Sequence, residues 1–173
     1  MTVQSLTLSE KSVRKILEAR DSRQDSLAQV LSEAYPATLV ASLNIPGYEK
    51  NLPGTQELFA SMMQSLARVF GELSVPASRT DALGPFAIIS LQLDPLVVKK
   101  RCVQLESLTL SARLVDLDVY SAEGCQIDRQ CLAISRRTCL VCDQAAVECM
   151  RLKRHSFDVV IGKVHELLAQ HRA

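Results

Sequence analysis

The chain has no tryptophan, and aromatic residues make up only 4% of its 173 positions. Flat stacking platforms of the kind that hold single-stranded bases are therefore missing. An excess of charge of one sign is missing too. Twenty lysines and arginines face 19 aspartates and glutamates, a net charge of +1, whereas a nucleic-acid-binding domain normally presents a strongly basic face. No apolar run approaches the ~18 residues that a membrane-spanning helix needs. The opening Met1-Thr-Val-Gln-Ser-Leu-Thr-Leu lacks the basic end and apolar stretch of a secretion signal. These absences argue against nucleic acid and membrane as partners and for a cytoplasmic protein. Glycine is scarce, with six residues, and neither a Walker loop nor a Gly-x-Gly-x-x-Gly occurs, which removes the glycine-cradled phosphate sites.

What is present is enough apolar material, 47% of the chain, for one compact core, so a single domain over 1–173 is expected. Thr7-Leu-Ser-Glu10 reads as a capping box opening a helix through about Ala19, and a second helix is expected from Ser22 to Ala34. Thr38–Leu43 reads as a strand, which the loop from Asn44 to Gly54, with Pro46, Gly47, Pro53 and Gly54, cannot continue. Leu58, Met62, Leu66, Val69 and Phe70 predict an amphipathic helix over 55–73. Phe86–Leu93 is a buried strand stopped by Asp94-Pro95, and Leu96–Leu110 is ambiguous. A hairpin follows, with strands over 114–120 and 126–134 about a turn at Ala122-Glu123-Gly124. Ser156 caps a last helix over 157–170. Strands and helices do not alternate regularly, so the expected class is α+β, a mixed or antiparallel sheet flanked by helices and helical at both ends.

The most informative stretch is Arg113-Leu-Val-Asp116-Leu-Asp118-Val119. On a strand, alternate side chains share a face, so Val115, Leu117 and Val119 are buried while Asp116 and Asp118 emerge together. Two carboxylates so placed suit Mg²⁺, which prefers one or two carboxylates plus the phosphate oxygens of a substrate, and phosphoryl transfer needs it against a polyphosphate leaving group. An edge strand with two solvated aspartates would look the same, but the residues downstream weigh against that reading. Arg113 and Lys50 are the best candidates for triphosphate contact, guanidinium as a fork and ammonium as a point charge, although either could simply be solvated.

Six cysteines in a cytoplasmic chain are thiols or ligands rather than disulfides. Cys139-x₂-Cys142-x₆-Cys149-x₅-His155 offers three thiolates and an imidazole, a set that suits tetrahedral zinc. The competing reading, and the preferred one at this stage, is that small buried thiols pack as hydrophobes. Arg151, Lys153 and Arg154 form a short basic run beside them, which is either a solvated face or a dock for an acidic carrier protein.

Several blocks in order resemble one family, the apo-citrate lyase phosphoribosyl-dephospho-CoA transferases. They are Arg20-Asp21-x-Arg23, Asn44-Ile-Pro-Gly47-x-x-Lys50, Lys99 and Glu106, the Arg113-Leu-x-Asp116-x-Asp118 core, and then Arg129, Arg137, Cys139, Cys142, Ala146, Cys149 and His155-Ser156. Thr109-Leu-Ser-Ala112 stands where the family usually has His-Pro-Leu-Gly. The resemblance implies a nucleotidyltransferase-like enzyme that moves a phosphoribosyl-dephospho-CoA group from 2′-(5″-triphosphoribosyl)-3′-dephospho-CoA to a serine of the apo acyl carrier subunit of citrate lyase, releasing pyrophosphate. It further implies Asp116, Asp118 and Arg113 as catalytic, with Mg²⁺ on the two aspartates. Lys50, Asn44, Gly47, Arg20, Arg23, Lys99, Arg129 and Arg137 are implied to contact substrate. The alternative is a noncatalytic module of the same descent that docks a carrier protein, stabilised by zinc.

Overall fold

No proline or glycine interrupts residues 8–31, and in the computed structural model, which describes residues 8–172, they form one helix, α1 (Leu8–Leu31). The two helices expected here are therefore one. The polar run from Arg20 to Asp25 does not break it, because Arg23 continues the stripe of Ala19, Leu27 and Val30 by laying its guanidinium over the Phe86 ring, 4.3 Å from the centroid. Thr7 of the expected capping box lies outside the described residues. Pro36 then precedes β1 (Ala37–Leu43).

α2 (Thr55–Phe70) packs Leu58, Phe59, Met62 and Leu66 inward and stops at Gly71, whose φ of 84° favours glycine. Beyond it, β2 (Ser74–Asp81) is a strand that the sequence pattern does not signal: it is short of apolar residues and holds Pro76. An edge position tolerates both, and a register shift falls between Ser74 and Ala77, around the proline. β3 (Gly84–Leu91) is buried at every position. The ambiguous segment resolves into α3 (Pro95–Leu105), begun by Asp94, whose carboxylate accepts the amides of Leu96 and Val97, with Pro95 in the first turn. β4 (Val115–Ser121) alternates buried and half-buried residues. Its partner β5 is only Gln126–Ile127 instead of running to Ile134, because the Asp128 carboxylate captures the amides of Gln130 and Cys131 and turns the chain. A short helix, α4 (Ala146–Arg151), and the terminal α5 (Phe157–Arg172) complete the chain.

The sheet runs β2-β3-β1-β4-β5 with every neighbouring pair antiparallel, an α+β architecture as expected. One face, with Leu39, Ala41, Ile89, Leu117 and Val119, is covered by α2, α3 and α5. On the other face α1 covers one side only, where Leu27 and Val30 meet Phe86 and Ile88. Asp116 and Asp118 emerge on that second face, side by side on β4.

Candidate active site

The chemistry gathers where β4 runs out of partners. β5 pairs only with Val119 and Tyr120, so the outward backbone groups of Val115 and Leu117 need other partners. Three charged side chains supply them. Glu106 accepts the Leu117 amide at 3.1 Å, the buried Lys99 ammonium donates to the Leu117 carbonyl at 2.7 Å, and Arg137 donates to the Val115 carbonyl at 2.9 Å. Glu106, 3% exposed, also binds Arg129 at 2.6 Å and Arg137 at 2.5 Å. Arg137 extends to Asp116 at 3.1 Å. Burial first, then the neighbouring Asp118 charge, pushes the Asp116 carboxyl above its ordinary range, and the Arg137 charge works against them. The Gln126 amide donates to Asp118 at 2.9 Å.

Beside this edge opens a cleft of ≈ 610 Å³ whose lining includes Arg113, Arg129, Arg136 and Arg137, with Glu106 as the one acidic group. Four guanidiniums around one carboxylate suit a polyanion. Thr109 and Leu110 lie on its wall, and Ala112 is buried while its amide is taken by the Thr109 hydroxyl at 3.1 Å. Arg136 was not singled out from the sequence. The available signal was its pairing with Arg137 in a loop just ahead of the cysteines.

The cysteine segment folds as a small knuckle. Thr138 and Ala145 form an isolated bridge, the Cys139 amide donates to the Gln144 carbonyl at 2.7 Å, and α4 then delivers Cys149. The Sγ atoms of Cys139, Cys142 and Cys149 and a ring nitrogen of His155 all lie within 4.8 Å of one another. Cys142 Sγ is 3.5 Å from Cys149 Sγ and 3.2 Å from His155 Nε2. A tetrahedron with metal–sulfur bonds of about 2.3 Å has edges of about 3.8 Å, so this is a possible Cys₃His metal site compatible with zinc. The geometry is thus compatible with the ligand reading, while Cys139 and Cys149 are also buried, as the packing reading preferred from sequence expects. Burial raises Cys139, but amide donors from Val141 and Cys142, together with the neighbouring thiols, bring it net below a free thiol. Arg113 clasps the knuckle, donating to the Cys139 carbonyl at 2.6 Å and the Thr138 hydroxyl at 3.1 Å.

The remaining predicted residues separate. Lys99 is spent on the β4 backbone. Asn44, Gly47 and Lys50 lie on the β1–α2 loop at the end of the sheet where β4 begins, the Asn44 amide on the Leu114 carbonyl at 2.7 Å. The Lys50 ammonium turns back to the Ile45 carbonyl, and burial lowers its pKa. Arg20 is exposed on α1. Arg23 grips Asp81 through two hydrogen bonds of 2.9 and 2.7 Å. A row across the sheet, Arg79, Phe86, Ser42 and Asp116, puts Phe86, with Arg23 above it, two strands or roughly 10 Å from the aspartates.

A sequence model of the apo-citrate lyase phosphoribosyl-dephospho-CoA transferases (CitX) matches residues 11–171. The chain belongs to this family. Among named relatives, an Escherichia coli O139:H28 apo-citrate lyase phosphoribosyl-dephospho-CoA transferase is 28% identical over 162 residues, covering 91% of this chain and 88% of that protein. A Vibrio cholerae protein named "Probable apo-citrate lyase phosphoribosyl-dephospho-CoA transferase" is 30% identical over 138 residues, covering 73% and 78%. Protein CitXG of Haemophilus influenzae is 29% identical over 164 residues, which is 92% of this chain but 35% of that longer protein. The resemblance drawn from the motifs, and with it the assignment as a CitX-type transferase, is borne out, and the noncatalytic alternative gains no support. Among the described residues no helix is long and apolar enough to cross a membrane.

Proposed function

We propose that this CitX-family chain transfers the phosphoribosyl-dephospho-CoA unit of 2′-(5″-triphosphoribosyl)-3′-dephospho-CoA to a serine hydroxyl of the apo acyl carrier subunit of citrate lyase, working in the cytoplasm. The serine oxygen attacks the α-phosphorus, the bond from that phosphorus to the β-bridging oxygen breaks, and pyrophosphate leaves with the electron pair. Hard oxygen donors paired on one strand face suit Mg²⁺ at Asp116 and Asp118, where the ion would neutralise charge on the triphosphate. Arg113, Arg129, Arg136 and Arg137 hold the β- and γ-phosphates as charge builds on the leaving group. The serine proton passes to a nearby carboxylate, Asp116, Asp118 or Glu106. Asn44, Gly47 and Lys50 form the neighbouring wall at the same end of the sheet, and the knuckle cysteines with His155 hold zinc.

The observation that carries this reading is Arg137, which touches Asp116 at 3.1 Å while lining the arginine cleft. One guanidinium thus joins the carboxylate pair to the anion site, which supports positioning a polyphosphate leaving group beside the pair. The test is incubation of apo carrier subunit, triphosphoribosyl donor and Mg²⁺ with wild type, Asp116→Asn or Asp118→Asn, followed by intact mass of the carrier. Each variant should fold normally and lose activity by about 10²–10³, the scale for removing a preorganised charge-stabilising group. Carrier modified at the wild-type rate by both variants would sink the assignment of the pair.

A further inference from the structure

The cleft wall from Ile134 to Leu140 contains neither helix nor strand beyond the single Thr138–Ala145 bridge. Its anchors are few. Arg137 ties it to Glu106, Asp116 and the Val115 carbonyl, Arg113 holds the carbonyls of Thr138 and Cys139, and the Cys139-Cys142-Cys149-His155 set closes the far side. Arg113 and Arg137 are also two of the four cleft guanidiniums, so one network both fixes the knuckle and presents charge to the cleft. Cys139 follows Arg137 by two residues, and its carbonyl is the shortest Arg113 contact.

We propose that a zinc ion bound by Cys139, Cys142, Cys149 and His155 assembles the polyphosphate site, so that occupancy of the metal site governs anion binding in the neighbouring arginine cleft. Four ligands from a hairpin, a helix and a loop lock three otherwise weakly joined segments, and metal binding is coupled to local folding in sites of this kind. Without the ion these segments are joined only by weak thiol contacts, such as Cys142 Sγ to Cys149 Sγ at 3.5 Å and to His155 Nε2 at 3.2 Å. The loop bearing Arg136 and Arg137 then samples other positions, and Arg113 loses the carbonyls that aim it. This deepens, and rests on, the reading of the cleft as a phosphate site.

The experiment uses the full chain purified without chelator and inorganic tripolyphosphate as probe. Elemental analysis should give about one zinc per chain, and replacement by Co²⁺ should give the visible d–d bands of a tetrahedral thiolate site, a readout independent of activity and of any variant. Calorimetric titration of the holoprotein should show tripolyphosphate binding. Removal of zinc, or Cys142→Ser, should weaken it by about tenfold to a hundredfold, the scale of misplacing one or two charge-assisted contacts, while far-ultraviolet circular dichroism retains the sheet and main helices. Zinc returned to the stripped wild type should restore affinity. A protein without metal and without cobalt bands overturns the zinc site and leaves the transferase reading standing. Equal tripolyphosphate affinity with and without zinc overturns the coupling alone. Holoprotein that binds zinc but no tripolyphosphate overturns the cleft as a phosphate site, and this inference with it.

Discussion

Glu106→Gln tests whether a buried carboxylate really substitutes for the missing strand at the β4 edge. Glu106 is 3% exposed and serves the Leu117 amide, Arg129 and Arg137 together. Glutamine has the same shape and can still offer one oxygen to the Leu117 amide. Its NH₂ group, however, must then face a guanidinium, donor against donor; Arg129 loses its counter-charge, and Arg137 keeps only Asp116. Breaking a buried pair by removing one partner costs about 3–5 kcal/mol. The guanidiniums are not fully buried, with side chains 18% and 28% exposed for Arg129 and Arg137, so water recovers part of their solvation and about 2–3 kcal/mol is the better expectation. For a chain of this length that is a fall in Tm of roughly 4–12 °C. Urea denaturation of wild type, Glu106→Gln, Arg129→Met and the double variant would measure both the loss and its coupling. A Glu106→Gln midpoint indistinguishable from wild type, or a coupling energy near zero, would refute the argument that this carboxylate holds the edge together.

Gly47 has φ of 79°, and a Cβ there would meet the Phe157 ring at 2.7 Å; because that ring is half exposed and can swing away, Gly47→Ala should cost about 1–2 kcal/mol, mostly backbone strain, and adding Phe157→Ala should not recover it. For Asp81, burial alone would raise the carboxyl, but the Arg23 hydrogen bond, the Leu83 amide and the charges of Arg23 and Arg79 outweigh it and hold the group below its ordinary value. The folded state then binds fewer protons than the unfolded one in the acid range, so the stability from this pair is present above the unfolded carboxylate pKa and drains as pH falls through the lower folded value. Asp81→Asn should flatten the acid limb of the stability–pH curve, and a limb parallel to wild type would count against the pairing.

Burial alternation made β4 legible, because a period of two with Val115, Leu117 and Val119 inward leaves Asp116 and Asp118 no other face to occupy. The same logic fails at β2, where Pro76 and polar residues mask an edge strand, and at α1, where Arg23 fills a core-facing position that a hydrophobicity pattern scores as a break. At α1 the cause is an arginine stacked on Phe86, which behaves as apolar surface while its fork pairs with Asp81. The cysteines present the converse problem, since four ligands spread over 17 residues look alike in sequence whether they converge or not, and only the knuckle turn and α4 bring their atoms within 4.8 Å. Lys99 and Glu106 were legible as special but not in their role. The family resemblance singles them out, yet the need that they answer is set by β5 stopping after two residues, a stop made by Asp128 some 22 residues beyond Glu106. That backbone need is what draws Arg137 in beside Glu106 and Asp116. The proposed anion site is therefore a consequence of how the sheet ends: the charges that satisfy an unfinished strand are the charges that line the cleft beside it.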